Sequence, residues 1–169
     1  MDGPLELTPA VITTLRAPEA PDYTALASWL PDAQACLRWA GPLIPFPIAV
    51  ELLAQQLFVP GGASYFLADP GDQVLGFGQH WVRRPGAVHL GRIIIAPPAR
   101  GKGLGRDLCA QLISKATEAT GAGAVTLRAY RDNEVALSLY KSLGFVAAEP
   151  ESSEEALFMV RPDPSFGDT

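Results

Sequence analysis

The run Arg100-Gly101-Lys102-Gly103-Leu104-Gly105-Arg106 concentrates the residue types that hold a polyanion. Glycines at alternate positions let the backbone turn sharply and approach a ligand without a Cβ in the way. An amphipathic repeat follows directly, with Leu104, Leu108, Leu112 and Ala116 four residues apart, so the run opens a helix. The first amides of a helix lack intrahelical acceptors, and the helix dipole places partial positive charge there. Arg100, Lys102 and Arg106 add full charges. The chemistry implied is capture of a pyrophosphate or similar group. Two other anion loops do not fit. The P-loop needs four residues between its first glycine and Gly-Lys, then Ser or Thr, whereas Gly103 follows Lys102 here. In the dinucleotide fingerprint the third glycine comes one residue later, and an acid follows on the next strand. Val125-Thr126-Leu127-Arg128 offers none.

A second segment carries further chemistry: Asn133, Ala136, Leu139-Tyr140, then Leu143-Gly144-Phe145. Arg-x-x-Gly-x-Gly after a strand, followed by Asn-x-x-Ala-x-x-x-Tyr and Gly-Phe, resembles the GCN5-related N-acetyltransferases (GNAT family). The resemblance spans the whole chain and is specific from about residue 88 to 146. It implies an α/β fold with a single mixed central sheet flanked by helices, whose central strands splay apart to admit acetyl-CoA. The strand end Ile93-Ile94-Ile95 would run beside the pantetheine arm. Backbone from Gly101 through Lys102, Gly103 and Leu104 to Gly105 would bind the pyrophosphate, with Arg100, Lys102 and Arg106 beside it. Asn133 would either bond the arm or cap its helix. Tyr140 matches the family's tyrosine and would protonate the departing thiolate; the alternative is a tyrosine packed on the apolar helix face with Ala136 and Leu143.

The family often places a glutamate on the strand entering the loop. His89-Leu90-Gly91-Arg92 stands there instead. His89 has a suitable intrinsic pKa for a base, and is otherwise a surface histidine at a strand start. Gly91 marks a candidate bulge. Arg92 is a solvated residue or a contact for a substrate carboxylate. Trp39, Phe46 and Trp81 are candidate walls of the acceptor pocket, with ordinary core packing as the alternative for each. The expected activity is N-acetyl transfer from acetyl-CoA to a primary amine of a small molecule or peptide, by direct attack in a ternary complex. The competing expectation is a non-catalytic acyl-CoA sensor or complex subunit.

The elements that must position these residues read as follows. Val11–Leu15 is a short strand, and Asp22 caps a helix through Trp29. The stretch 31–47 shows no clear period, with loop material of aromatic content at Trp39-Ala40-Gly41-Pro42 and Pro45-Phe46-Pro47. Leu52, Leu53, Gln56 and Leu57 have helical spacing. Ser64–Ala68, Gln73–Val82 and Val88–Ile95 form a meander, and Ile93–Ile95 is apolar without alternation, as in a strand covered on both faces. After the long helix come strand Val125–Ala129, a helix capped by Asp132 or Asn133, and strands Phe145–Ala147 and Ala156–Val160. Residues 1–10 are a loose lead-in, 11–161 the acyltransferase domain, and 162–169 a tail.

Bulk properties bound the partners. At 169 residues with 48% hydrophobic and 18% charged content, the chain can bury a core and is not a disordered one. A net charge of −5 speaks against gripping a nucleic-acid backbone. Cys36 and Cys109 suggest neither a disulfide framework nor a metal site. No secretory leader and no membrane span is expected, which points to the cytoplasm. The family resemblance adds the expectation of a homodimer.

Overall fold

A computed structural model describes residues 12–162. The expected lead-in, Val11 and the tail from residue 163 lie outside these residues. Strand β1 (Thr14–Arg16) leads into helices α1 (Ala20–Ser28), α2 (Ala33–Ala40) and α3 (Val50–Gln56). Strands β2 (Ala63–Ala68), β3 (Val74–Arg84) and β4 (Ala87–Ile95) form the meander. Helix α4 (Leu104–Thr120), β5 (Ala124–Tyr130), α5 (Glu134–Ser142), β6 (Val146–Ala147) and β7 (Ala156–Arg161) complete the order.

The strands make one sheet in the order β1-β2-β3-β4-β5-β7-β6. Every neighbouring pair is antiparallel except β4 and β5. The mixed sheet expected from the sequence is therefore present. A parallel pair needs a crossover, and α4 supplies it between β4 and β5.

Two early elements differ from their sequence reading. Residues 33–40, where the sequence shows no clear period, are helix. The Asp32 carboxylate caps α2 by accepting the Ala35 N–H at 2.8 Å, and Cys36 and Ala40, one turn apart, are its buried face. Asp22, expected as the cap of α1, sits one turn inside the helix, which starts at Ala20. Its carboxylate accepts the Glu19 backbone N–H at 2.7 Å and pairs with Arg16 at 2.7 Å, so it serves as the returning arm of a capping box.

Each face of the sheet has its own helical layer. Phe77 packs at 5.0 Å from Phe66 and 5.9 Å from Trp39, and Phe66 packs edge-on to Tyr23 and Trp29, which joins α1 and α2 to one face. Leu108, Cys109 and Leu112 of α4 are buried against the other. Helix α5 lies beside α4, with Arg106 donating to Ser142 Oγ at 2.6 Å. The consequence for function is at the centre of the sheet. β4 and β5 are paired only at Ala87↔Ala124, Val88↔Val125 and His89↔Thr126. Beyond His89 the two strands part, as expected.

Candidate active site

The parted strands enclose a cleft of about 130 Å³. Leu90, Gly91, Arg92 and Ile93 form one wall, and Leu127–Tyr130 the other. Asn133, Ala136 and Tyr140 close it from α5, and Arg38 and Trp39 from α2. A larger open depression of about 540 Å³, lined by Glu19, Tyr23 and Glu51 among others, lies between α1 and α3 and touches none of these residues.

The β4 wall is irregular for a physical reason. Gln79 pairs with Gly91 and Phe77 with Ile94, so β4 has one residue more than β3 over this stretch. The extra residue makes the bulge expected at Gly91, and Arg92 takes a left-handed φ of 50°. Gly91 is required here, because a Cβ on it would run into the six-membered ring of Trp81. The Trp39 indole N–H donates to the Arg92 carbonyl at 2.7 Å and holds the bulge from the helical side.

The anion loop sits at the open end of the cleft, where β4 runs out. Arg100 Nε donates to the Ile95 carbonyl at 3.1 Å. Gly101 and Gly103 have φ of 76° and 79°, a region that favours glycine. Gly103 is the N-cap of α4, so the amides that follow it are those the helix leaves free. A Cβ on Gly105 would meet the Leu139 side chain at 3.4 Å, where α4 meets α5. Lys102 is exposed and Leu104 buried.

Tyr140 is only 8% exposed, edge-on to Phe145 with 6.0 Å between ring centres. Burial, with the Cys109 thiol nearby, raises its pKa, so the phenol stays protonated. Cys109 is itself pushed up to about 12 by burial and is inert as a thiol. Asn133 caps α5, its Oδ1 accepting the Ala136 N–H at 3.2 Å, and it also lines the cleft. The two roles weighed for it are compatible, because the cap uses only the oxygen.

Other residues named from sequence are not brought to the cleft. His89 is 6% exposed and flanked by Trp81, at 5.1 Å, and Phe158, at 6.2 Å. Its Nδ1 is 2.8 Å from Thr126 Oγ1. Burial, with Arg83 and Arg128 near, lowers its pKa from 6.5 to about 4. Its place is in the closed part of the sheet, not on the surface and not in the gap. Phe46 is 39% exposed and lies outside the lining. Trp81 covers Gly91 and His89 rather than the cleft itself. Of the three candidate pocket aromatics, only Trp39 lines it.

Sequence reading missed Arg38, because it assigned no helix to residues 33–40. Its guanidinium pairs with Asp132 at 2.7 Å and stacks 4.1 Å over the Tyr130 ring, tying α2 to the β5–α5 connection at the cleft rim. The Asp32 cap with Cys36 and Ala40 in helical spacing was the signal available. Asp132 is thereby the partner of Arg38, and Asn133 alone caps α5.

A family model described as "Acetyltransferase (GNAT) family" matches residues 26–145. Mycothiol acetyltransferase from Nocardioides sp. is 29% identical over 168 residues, covering 85% of this chain and 56% of that protein. The same enzyme from Salinispora tropica is 37% identical over 90 residues, 49% of this chain and 29% of that protein. The chain thus spans less than two thirds of the length of these curated relatives. Among solved structures, spermidine N-acetyltransferase from Vibrio cholerae in complex with CoA and spermine superposes with a TM-score of 0.74 at 20% identity. That superposition covers 92% of this chain and 98% of that one. An aminoglycoside acetyltransferase in complex with coenzyme A gives a TM-score of 0.71 at 19% identity, over 92% and 97%. At such identity the structural likeness speaks for the fold.

Proposed function

The chain belongs to the acetyltransferase (GNAT) family, and from that premise we propose that it transfers an acetyl group from acetyl-CoA to a primary amine of a small molecule or peptide. The observation that carries the proposal is the position of Tyr140 in the lining of the gap between β4 and β5, where burial raises its pKa and favours the protonated phenol. An acyl-CoA sensor needs the gap and the anion loop but has no use for an acid held there.

Acetyl-CoA, when bound, supplies the acetyl group as a thioester and leaves as the free thiol. The residues present fit it. The amides after Gly103 and the cations Arg100, Lys102 and Arg106 suit its phosphates. The unpaired edges of β4 and β5 beyond His89 and Thr126 suit an extended amide-bearing arm. Asn133 lines the same gap.

In this reading the amine nitrogen forms the new C–N bond, the C–S bond breaks, and Tyr140 gives its proton to the sulfur. The amine must first be neutral. For a lysine-like amine, pKa ~10.4, that costs roughly 4–5 kcal/mol at pH 7. Among the described residues no carboxylate lines the cleft, and His89, with a pKa of about 4, is a weak base sealed in the sheet. We therefore assign the proton to water, with the Arg92 charge beside the cleft favouring the neutral amine. The acetylated nitrogen gives up its extra proton to solvent, and the Tyr140 phenolate takes one back from solvent, so the cycle closes. The two buried, unpaired thiols suit a reducing cytoplasm, which we include in the proposal.

The test is release of CoA across a panel of primary amines, with calorimetry of acetyl-CoA binding alongside. Binding with turnover of some amine is expected. Binding without turnover on any amine would favour the sensor, and no binding at all would overturn the reading.

A further inference from the structure

Among the described residues, Arg92 is the one cation lining the cleft whose guanidinium meets neither a carboxylate nor a backbone carbonyl; it lies over the Trp81 ring at 5.6 Å and bonds one side-chain amide. Arg38 is paired with Asp132. Arg128 also contributes to the lining, but its guanidinium lies over the Phe158 ring and donates to the Glu151 carbonyl. Arg92, half-buried on the bulge, makes a single side-chain hydrogen bond, from Nη1 to Gln79 Oε1 at 2.8 Å. Among the described residues no carboxylate lies within ion-pair distance of it.

This arrangement is built rather than incidental. Gln79 is buried, and its Nε2 donates to the Leu57 carbonyl at 2.6 Å and to Ser64 Oγ at 2.9 Å. Those two bonds fix which way its amide points, so the oxygen faces Arg92. Trp39 fixes the backbone of Arg92 from the other side. The guanidinium is therefore oriented, and most of its N–H donors remain available. Its pKa is lowered by burial, which is the sign of a charge without a counter-ion. A desolvated guanidinium is stabilised by a carboxylate, whose geometry it matches in a bidentate pair.

We propose that Arg92 binds a carboxylate of the acceptor, so that the preferred substrate is an amine carrying a carboxylate a few atoms from its nitrogen, as in an amino acid. The proposal rests on the acetyltransferase reading above. It separates this cleft from one suited to polyamines, whose charges Arg92 would repel.

The test compares kcat/KM for a set of L-amino acids with that for the corresponding amino-acid amides and decarboxylated amines. The amide is the demanding control. Its amine has the lower pKa and is more often neutral, so intrinsic reactivity favours it over the acid. The wild-type enzyme is expected to prefer at least one acid over its amide and its decarboxylated amine by roughly tenfold to a hundredfold. In Arg92→Gln that ratio should fall towards one, with acetyl-CoA affinity by calorimetry reporting that the variant is folded. Should Arg92→Gln fail to fold, the wild-type ratio decides alone. Turnover of amines with no preference for any carboxylate overturns this inference and leaves the acetyltransferase reading standing. Failure of all three acceptor classes, with acetyl-CoA bound, overturns both.

Discussion

A phenol is a weak acid in water, and burial beside Cys109 makes Tyr140 weaker still. The raised pKa keeps the proton on the phenol until a thiolate forms, at a cost in driving force for the transfer itself. Phenylalanine keeps the ring that packs edge-on to Phe145. Tyr140→Phe is therefore expected to leave thermal stability and acetyl-CoA affinity near wild type while lowering kcat by about 10²-fold or more. Single-turnover kinetics beside calorimetry check this, and an unchanged kcat on the best acceptor would remove Tyr140 from the chemistry. Tyr140 was legible in the sequence because a local motif carries it. Arg92 was legible only as an ambiguity. Its meaning depends on Gln79, Ser64, Leu57 and Trp39, which come from four other elements of the chain and meet only in the fold.

At the scale of elements, the site is a place where a sheet stops pairing. One extra residue in β4 turns the strand away from β5, and Gly91 and Trp81 make that turn possible. Gly91→Ala would put a methyl group into the Trp81 ring. It should destabilise the protein by about 1–3 kcal/mol, the usual range for overpacking. It should also raise KM for acetyl-CoA, because the β4 wall moves. In a Trp81→Leu background the same substitution should cost much less. Denaturant unfolding of the four proteins of that double-mutant cycle gives the coupling. Additive effects would mean that the ring does not constrain the bulge. The meander, α4 and β5 were readable from period and turn residues alone. Helix α2 was not. It is two turns long between prolines, and its stability comes from the Asp32 cap and from packing of Cys36, Ala40 and Trp39, not from a long periodic pattern. The same omission hid Arg38 at the cleft rim.

Taken whole, the molecule is acidic, with a net charge of −5, yet its proposed ligand is a polyanion. The cations of residues 100–106 resolve that conflict locally, since charge arranged at a helix start outweighs the distant average. Stability against pH is likewise set by local burial, not by the net charge. His89 is held neutral between Trp81 and Phe158, and its pKa falls from 6.5 to about 4. The unfolded chain therefore takes up this proton more readily than the folded one. The stabilisation by the neutral imidazole is complete above pH 6.5 and is lost as pH falls from there through 4. Integrated over that window, the loss amounts to about 3 kcal/mol. His80, also buried with a lowered pKa, acts in the same direction. Asn in place of His89 keeps an amide near the Nδ1 position that meets Thr126 and does not titrate. His89→Asn should be less stable than wild type at pH 7.5, because the ring contacts are lost, but should lose less on going to pH 4.5. Melting curves at the two pH values measure that difference of differences. The ascending limb of the pH–rate profile should be the same in both proteins. A limb that vanished with His89 would return the base role to it and would require the sheet to open there during turnover.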